Sequence, residues 1–240
     1  MREFDSVTVV GCGGIGTWLV PPLARLLSKR EYKGELHLWD GDRFEDKNRA
    51  RQEFDLRGLG LNKAEVTANQ VRANHPLTAV DHREYVVADN VAQAVPEGGL
   101  VVTCLDNHPA RALIDRAAGT RKFIVVLSAG NEKLDGNVHV YYRRGGKDVT
   151  LPLIARHPEV ATDRRGSREA GCENLIEAGE TQYLTTNFLA AAAVLVVLGQ
   201  LQSMGEHDGN RTQTVTPQEA FFHAWDGISV VPVMTPGAGV

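Results

Sequence analysis

Four glycines near the N-terminus form the first group of residues whose spacing could do chemistry. Gly11, Gly13, Gly14 and Gly16 follow the apolar stretch 6–10 and precede leucines at helical spacing. A glycine loop between a strand and a helix lets backbone N–H groups approach phosphate, because no Cβ stands in the way. The loop predicts a bound nucleotide, and its alternative is a tight turn that binds nothing.

A second group is acidic. Asp40 ends the apolar stretch 35–40, and Asp42 follows two residues later. At the end of the second strand of a dinucleotide-binding fold, a carboxylate accepts hydrogen bonds from ribose hydroxyls. The glycine loop and Asp40 alone therefore fit an NAD-dependent oxidoreductase as well, and that alternative stays open.

The next residues separate the two interpretations. Asn48, Arg51, Gln52 and Lys63 follow within a short space. Attack on the α-phosphorus of a triphosphate builds negative charge on the phosphorus centre and on departing pyrophosphate, which fixed cations and donors stabilise. A dinucleotide does not require this set. For any single Arg or Lys the alternative is a solvated charged surface.

A third group follows the apolar stretch 100–105. Asp106 and Asn107 stand where a central strand is predicted to end, at the edge of the sheet that lines the ligand crevice. One or two carboxylates together with phosphate oxygens suit Mg²⁺, so Asp106 is the candidate metal ligand. Its alternative role is to cap the following helix.

Together these residues resemble the ThiF/MoeB superfamily, which includes the adenylation domains of ubiquitin-activating enzymes. The resemblance implies that Gly13 and Gly14 lie against the phosphates, that Asp40 binds ribose and that Asp106 carries Mg²⁺. It further implies that three side chains hold the phosphates and a fourth shapes the pocket: Asn48, Arg51 and Lys63, with Gln52. The whole nucleotide-binding set is then Gly11, Gly13, Gly14, Gly16, Asp40, Asp42, Asn48, Arg51, Gln52, Lys63, Asp106 and Asn107.

The resemblance also implies a reaction. The family's protein substrates are small ubiquitin-like or sulfur-carrier proteins, whose C-terminal glycine carboxylate attacks ATP to give an acyl adenylate and pyrophosphate. Within the superfamily, the alternative substrate is a small-molecule or tRNA-linked carboxylate. A nucleotide-binding scaffold that has lost turnover is the alternative outside enzymes.

The chain has three cysteines, Cys12, Cys104 and Cys172, and no C-x-x-C pair, so no structural zinc is expected. Cys172 lies in a loop rich in arginine, which would lower the pKa of its thiol and free the thiolate. We therefore expect Arg51, Lys63, Asp106 and Cys172 to be the catalytic residues, with Cys172 receiving the acyl group from AMP. The alternative is a chance loop cysteine.

Alternating strand-like and helix-like stretches must position these residues. They predict an α/β, Rossmann-like fold with a mostly parallel sheet and helices on both faces. Predicted strands cover 6–10, 35–40, 79–87, 100–105, 123–127, 137–142 and 227–233, and predicted helices 63–74, 109–118 and 183–201. In the first helix, Pro21 and Pro22 predict a kink or a late restart.

A single adenylation domain over 1–240 is expected. Its nucleotide-binding core covers 1–142, a mobile charged loop bearing Cys172 covers 143–180, and an apolar helix with C-terminal strands covers 181–240. The apolar run 188–199 is too short to span a bilayer, so we expect a buried core helix and no membrane.

Composition sets limits on the partners. The chain has 240 residues, a formal net charge of −4 and a pI of about 6.1, which gives no reason to expect nucleic acid. The N-terminus lacks the pattern of a signal peptide, so a cytoplasmic location is expected. The family implies a homodimer and a partner protein ending in Gly-Gly.

Overall fold

A computed structural model describes residues 4–162, 184–203, 217–223 and 227–229. In these residues, one nine-stranded sheet has the order β3-β2-β1-β4-β5-β6-β8-β9, with β7 paired only to β6. The strands from β3 to β5 are parallel to one another, whereas β6 to β9 pair antiparallel. The expected α/β fold with a mostly parallel sheet is therefore confirmed.

The strands are β1 Ser6–Val10, β2 Glu35–Trp39, β3 Thr78–His82, β4 Leu100–Thr103, β5 Ile124–Asn131, β6 Asp135–Arg144, β7 Lys147–Asp148, β8 Glu219–His223 and β9 Gly227–Ser229. The helices are α1 Gly14–Lys29, α2 Lys63–Asn74, α3 Val91–Ala94, α4 His108–Ala118, α5 Leu153–Arg156, α6 Glu159–Thr162 and α7 Leu184–Ser203. Two 3₁₀ turns, Asp46–Ala50 and Leu56–Gly58, lie between β2 and α2.

Helices cover both faces of the sheet, which a parallel sheet requires because both of its faces are apolar. On one face α1, α2 and α7 pack on inward side chains of the central strands, such as Val7 and Val102. On the other face α3 and α4 pack on the alternate residues, such as Val10 and Val101. The strand β4 is buried throughout its length, as expected of a central strand.

Several boundaries differ from the expectations. The third strand ends at His82 rather than residue 87, because the chain turns there into a loop in which Asn90 accepts a hydrogen bond from Val87 N–H. The strand β5 continues to Asn131 because β6 pairs with its whole length. The strand β8 was not anticipated.

The expected charged loop from residue 143 is wrong for its first part. Residues 143 and 144 still belong to β6, and β7, α5 and α6 follow up to Thr162. Side-chain acceptors stabilise these short elements, since the Asp115 carboxylate on α4 accepts hydrogen bonds from Leu153 N–H and Ile154 N–H. Residues 163–183 lie outside the described part of the chain.

The prolines do not delay the first helix. The helix α1 runs from Gly14 to Lys29 with Pro21 and Pro22 inside it, so the expected late restart is wrong. Both prolines are exposed. Their rings therefore face solvent and disturb no packing against the sheet, and the carbonyl groups that they leave without N–H donors can bind water.

The helix α7 is long and apolar enough, by length and composition, to cross a membrane over Leu184–Gln202. In the fold it packs into the core instead, and Ala190, Ala193 and Val194 are fully buried in the cluster that α1 and the sheet share. The interpretation as a core helix accounts for this packing.

Candidate functional site

The glycine loop joins β1 to α1 at the carboxyl edge of the sheet. Gly11 has a φ of +96°, and a Cβ there would lie 2.5 Å from the carbonyl oxygen of Cys104. A Cβ on Gly16 would lie 2.0 Å from the carbonyl oxygen of Gly11. Larger residues would therefore push the loop away from β4 and from the start of the helix.

Asp40 holds this loop to the end of β2. Its Oδ2 accepts a hydrogen bond from Cys12 N–H at 2.7 Å, and its Oδ1 accepts one from Asp42 N–H at 2.8 Å. Burial raises the pKa of Asp40 to about 6, and the nearby positive charge of Lys63 opposes that rise. Each carboxylate oxygen keeps a second lone pair, so Asp40 can still accept from a ribose hydroxyl.

Asn62 fixes the start of α2 against the Asp40–Asp42 turn. Its Nδ2 donates to the carbonyl oxygens of Asp40 at 2.8 Å and Asp42 at 3.0 Å, while its Oδ1 caps the helix by accepting from Glu65 N–H. The next residue, Lys63, donates its backbone N–H to the Asp42 carbonyl at 2.9 Å. The first residue of α2 is thus placed beside the acidic turn.

Lys63 is a buried cation at the glycine loop. Its side chain is only 3% exposed, and Nζ donates to Asp42 Oδ2 at 3.3 Å. Nζ also lies 3.9 Å from the point that a Cβ on Gly13 would occupy. An ammonium group removed from water is costly unless anions surround it, so a phosphate in this place would compensate the charge further.

Tyr85 covers the other side of the acidic turn. Its hydroxyl donates to Asp42 Oδ1 in a short hydrogen bond, and a Cβ on Gly41 would lie 2.6 Å from its ring. Asp42 is therefore held between Lys63 and Tyr85. Tyr85 remains 44% exposed, which leaves it on the rim of the site.

Asn48 lies in the 3₁₀ turn Asp46–Ala50, Arg51 and Gln52 follow directly after it, and all three are buried. The carbonyl oxygen of Asn48 accepts from Arg51 N–H at 3.0 Å and Gln52 N–H at 2.9 Å. The side chain of Gln52 reaches the glycine loop, where its Nε2 lies 3.6 Å from the Cβ position of Gly13. Within the described residues, Asn48 Nδ2 and Gln52 Oε1 are buried polar atoms without a hydrogen-bond partner.

Asn187 enters the site from α7. Its Nδ2 donates to the Arg51 carbonyl oxygen at 3.2 Å, and its Oδ1 accepts from Asn131 Nδ2 at 3.0 Å. A Cβ on Gly14 would lie 2.9 Å from Asn187 Oδ1. The helix α7 thus touches the glycine loop, the turn of Arg51 and the end of β5 at once.

Asp106 and Asn107 follow β4 at the same edge of the sheet. Asn107 caps α4, because its Oδ1 accepts from Ala110 N–H at 2.9 Å. Asp106 is exposed and is not the cap. Arg111 from the same motif binds the carbonyl oxygens of Leu105 and Ala129, so it ties the ends of β4 and β5 together.

The described cysteines are poor nucleophiles. Burial raises the pKa of the Cys12 thiol well above its usual value and raises that of Cys104 to about 12. Neither forms a thiolate near neutral pH. Cys172, with its neighbours Arg164, Arg165 and Arg168, lies outside the described residues.

The structure brings together several of the residues expected from the sequence. Gln52 and Lys63 meet at Gly13, Asp40 and Asp42 lie directly beside them, and Asn187 joins Arg51 to Gly14. Cations and unpaired buried amides around backbone N–H groups at a helix N-terminus can bind a polyphosphate. Asp106 lies on the same edge.

A magnesium ion fits this edge of the sheet only if a bound nucleotide supplies some of its ligands. The described residues contain no group of three or more His, Cys, Asp or Glu side chains that could hold a metal. Mg²⁺ in nucleotide sites commonly takes one or two carboxylates and phosphate oxygens. Asp106 suits that role if phosphates supply the other ligands.

Three residues of the site were missed by reasoning from the sequence: Asn62, Tyr85 and Asn187. Asn62 had a detectable signal, since an Asn directly before a helix is a common N-cap. Tyr85 and Asn187 reach the site through tertiary contacts from distant segments, and no local pattern marks them.

Comparisons with known proteins agree with this geometry. A family model described as the ThiF family matches residues 2–228. The adenylyltransferase and sulfurtransferase MOCS3 of Danio rerio is 34% identical over 161 residues, which are 66% of this chain and 34% of the relative. The tRNA threonylcarbamoyladenosine dehydratase of Escherichia coli K12 is 39% identical over 156 residues, which are 62% of this chain and 55% of the relative.

Among solved structures, E. coli MccB with ATP superposes with a TM-score of 0.65 at 18% identity, covering 97% of this chain and 64% of that one. At this identity the likeness shows the fold. The chain spans about a third to just over half of the length of the two curated relatives.

Proposed function

This chain belongs to the ThiF family, and from that premise we propose that it uses ATP to adenylate a carboxylate, the C-terminal glycine of a ubiquitin-like or sulfur-carrier protein. The observation that carries the proposal is the buried Lys63 ammonium, held by Asp42 beside Gly13 and Gln52. A buried cation at a glycine loop suits an anion with several charges, such as a triphosphate.

In the proposed reaction a carboxylate oxygen attacks the α-phosphorus of ATP. The new O–P bond forms as the bond between the α-phosphorus and the oxygen bridging it to the β-phosphorus breaks, and pyrophosphate leaves with the electron pair. Lys63 and Arg51 stabilise the charge on the phosphates, while the backbone N–H groups of Gly13 and Gly14 bind the phosphates. No proton moves, because the attacking carboxylate is already ionised.

The remaining side chains hold the nucleotide. Asp40 and Asp42 lie at the turn where ribose would bind, and the unpaired Asn48 Nδ2 and Gln52 Oε1 supply a donor and an acceptor. Asp106 would hold Mg²⁺, which shields the charges of the phosphates when bound.

The acyl adenylate would pass to a thiolate. Cys172 is our candidate acceptor, since burial raises the thiol pKa of both Cys12 and Cys104. The thiolate would attack the acyl carbon, and AMP would leave with the electron pair. The name of the MOCS3 relative pairs adenylyl transfer with sulfur transfer, which supports a second transfer step besides adenylation.

The similarity to the tRNA threonylcarbamoyladenosine dehydratase leaves a second substrate class possible for this chain, a tRNA-linked carboxylate. A formal net charge of −4 favours a protein substrate over tRNA, since phosphate backbones attract basic surfaces. An NAD-dependent oxidoreductase would leave the buried Lys63 without a role.

ATP–pyrophosphate exchange tests the proposal. We expect exchange with a small carrier protein ending in Gly-Gly and none when its last two glycines are removed. Lys63→Met is expected to lower the exchange rate about 100-fold or more, in the range of a lost transition-state donor. Lys33→Met, which changes an exposed lysine before β2, is the matched control. Exchange that requires modified tRNA instead, or that survives Lys63→Met, contradicts the proposal.

A further inference from the structure

Asn187 is a buried polar residue at the start of α7. It is the fourth residue of the helix, follows Thr185 and Thr186, precedes the apolar run 188–199, and is only 1% exposed. A buried amide costs free energy unless its hydrogen bonds are made. Its partners therefore show what the residue does.

Those partners belong to the proposed ATP site. The Nδ2 of Asn187 donates to the carbonyl oxygen of Arg51 at 3.2 Å, and Oδ1 accepts from Asn131 at 3.0 Å. Trp18 Nε1 from α1 donates to the same Arg51 oxygen at 3.4 Å. The chain distance is long, since 136 residues separate Asn187 from Arg51.

The contact fixes one side of the Arg51 backbone, and the 3₁₀ turn fixes the other. Arg51 N–H donates to the Asn48 carbonyl oxygen at 3.0 Å, while Arg51 C=O accepts from Asn187. With both peptide groups held, the direction of the Cα–Cβ bond of Arg51 is set. A cation whose backbone is already fixed needs no reorganisation when charge develops beside it.

Asn187 also lies against the glycine loop. The absent Cβ of Gly14 leaves room for its amide, since that atom would lie 2.9 Å from Oδ1 and 3.0 Å from Nδ2. Asn187 thus fills the space between the start of α1 and the turn that carries Arg51. Both elements are proposed to bind the triphosphate.

We propose that Asn187 is a positioning residue, which holds the backbone of Arg51 so that its guanidinium acts on the phosphate charge of ATP. The proposal rests on the proposed function, because it assumes that Arg51 meets a polyphosphate. Because Asn187 is 1% exposed and packed against Gly14, we assign it no direct contact with the nucleotide. Because Arg51 is proposed to act on phosphate charge, the loss of Asn187 is expected to weaken the binding of a triphosphate more than the binding of a monophosphate.

Two variants test this role by calorimetry with ATP and with AMP, each with Mg²⁺. Asn187→Asp places an oxygen against the Arg51 carbonyl and keeps the acceptor for Asn131, whereas Asn187→Ala removes both contacts without adding a buried charge. We expect each to weaken ATP binding about 10-fold and AMP binding less than 2-fold. Gln200→Glu makes the same amide-to-carboxylate change on the exposed side of α7 and is the matched control.

The double variant Arg51→Ala/Asn187→Ala provides the second readout. We expect it to bind ATP no more weakly than Arg51→Ala alone, because Asn187 acts only through Arg51. Equal losses for ATP and AMP, additive losses in the double variant, or variants that do not fold would overturn the positioning role. If the wild-type chain binds no ATP, the proposed function fails as well. If it binds ATP and the variants match it, only this inference fails.

Discussion

The carboxylate of Asp40 accepts the backbone N–H of Cys12 at 2.7 Å, and this bond joins the end of β2 to the glycine loop that follows β1. The second oxygen of Asp40 accepts from Asp42 N–H, so one side chain holds both walls of the nucleotide site. Because both donors favour an ionised acceptor, the charge on Asp40 sets the shape of the site.

The first prediction concerns pH. Burial raises the pKa of Asp40 to about 6, so this carboxyl becomes protonated as the pH falls through about 6 and loses acceptor strength toward Cys12. We expect ATP affinity to fall between pH 7 and pH 5, as measured by calorimetry. Phosphate groups titrate in the same range, so Asp40→Asn supplies the baseline. That variant is expected to bind about 10-fold more weakly at pH 7 and to show the smaller pH dependence. Equal pH profiles for the two proteins contradict the assignment.

The second prediction concerns the contact between Gly14 and Asn187. Gly14→Ala places a Cβ 2.9 Å from Asn187 Oδ1, and such overpacking costs roughly 1–3 kcal/mol of unfolding free energy. Adding Asn187→Ala relieves the overlap, so the double variant is expected to lose less than the sum of the single variants. Urea denaturation measures both effects. Gly13→Ala is the control, since its Cβ would meet only ordinary contacts at 3.6 and 3.9 Å. Strict additivity would show that the two residues are not in contact.

The third prediction separates the roles of two neighbouring residues. Asn107 caps α4, so Asn107→Ala is expected to lower the unfolding free energy by about 1 kcal/mol. Asp106 is exposed and is not the cap of α4, so Asp106→Asn is expected to leave thermal stability within about 0.5 kcal/mol of wild type. The same variant is expected to raise the Mg²⁺ concentration needed for half-maximal exchange several-fold. An unchanged magnesium requirement contradicts the role given to Asp106.

The fourth prediction concerns stability in acid. Burial lowers the pKa of His139 on β6 to about 3, and the nearby charges of His157 and Arg156 add to the shift. The ring is 1% exposed and accepts from Gln218 Nε2. Between about pH 6.5 and pH 3, His139 therefore binds a proton in the unfolded chain but not in the folded chain. Stability is expected to fall as the pH drops from about 6.5 toward 3, by up to about 1.4 kcal/mol per unit from this residue.

His139→Gln checks that slope. Gln keeps an acceptor for Gln218 but cannot take up a proton in this range, so the loss of stability between pH 7 and pH 5 is expected to be smaller than in wild type. Urea denaturation at the two pH values gives the comparison. His75→Gln, at the end of α2, makes the same replacement away from this pair and serves as the control. A slope that His139→Gln leaves unchanged would show that other groups cause the acid sensitivity.

The elements of the parallel half of the sheet follow from local patterns. The strand and glycine loop before α1, the strand ending at Asp40 and the helix beginning at Lys63 could all be predicted, because each depends on residues close together in the chain. The same holds for the placement of Asp106, since the carboxyl ends of parallel strands share one edge.

Other features depend on long-range contacts and left no local signal. Asn187 occupies the space beside Gly14 only because α7 packs against α1, and Tyr85 meets Asp42 only because β3 ends early. The strand β8 is short, and it forms because it pairs with β6. In α1 a local signal was misleading instead. Pro21 and Pro22 have poor helix propensity, but the helix continues through them because both are exposed.

The most direct measurement is a crystal structure of the chain with a non-cleavable ATP analogue. The account predicts the triphosphate on Gly13 and Gly14, with Lys63 Nζ and the Arg51 guanidinium each within about 3 Å of phosphate oxygens. A nucleotide bound elsewhere, or one whose phosphates meet neither Lys63 nor Arg51, would contradict it.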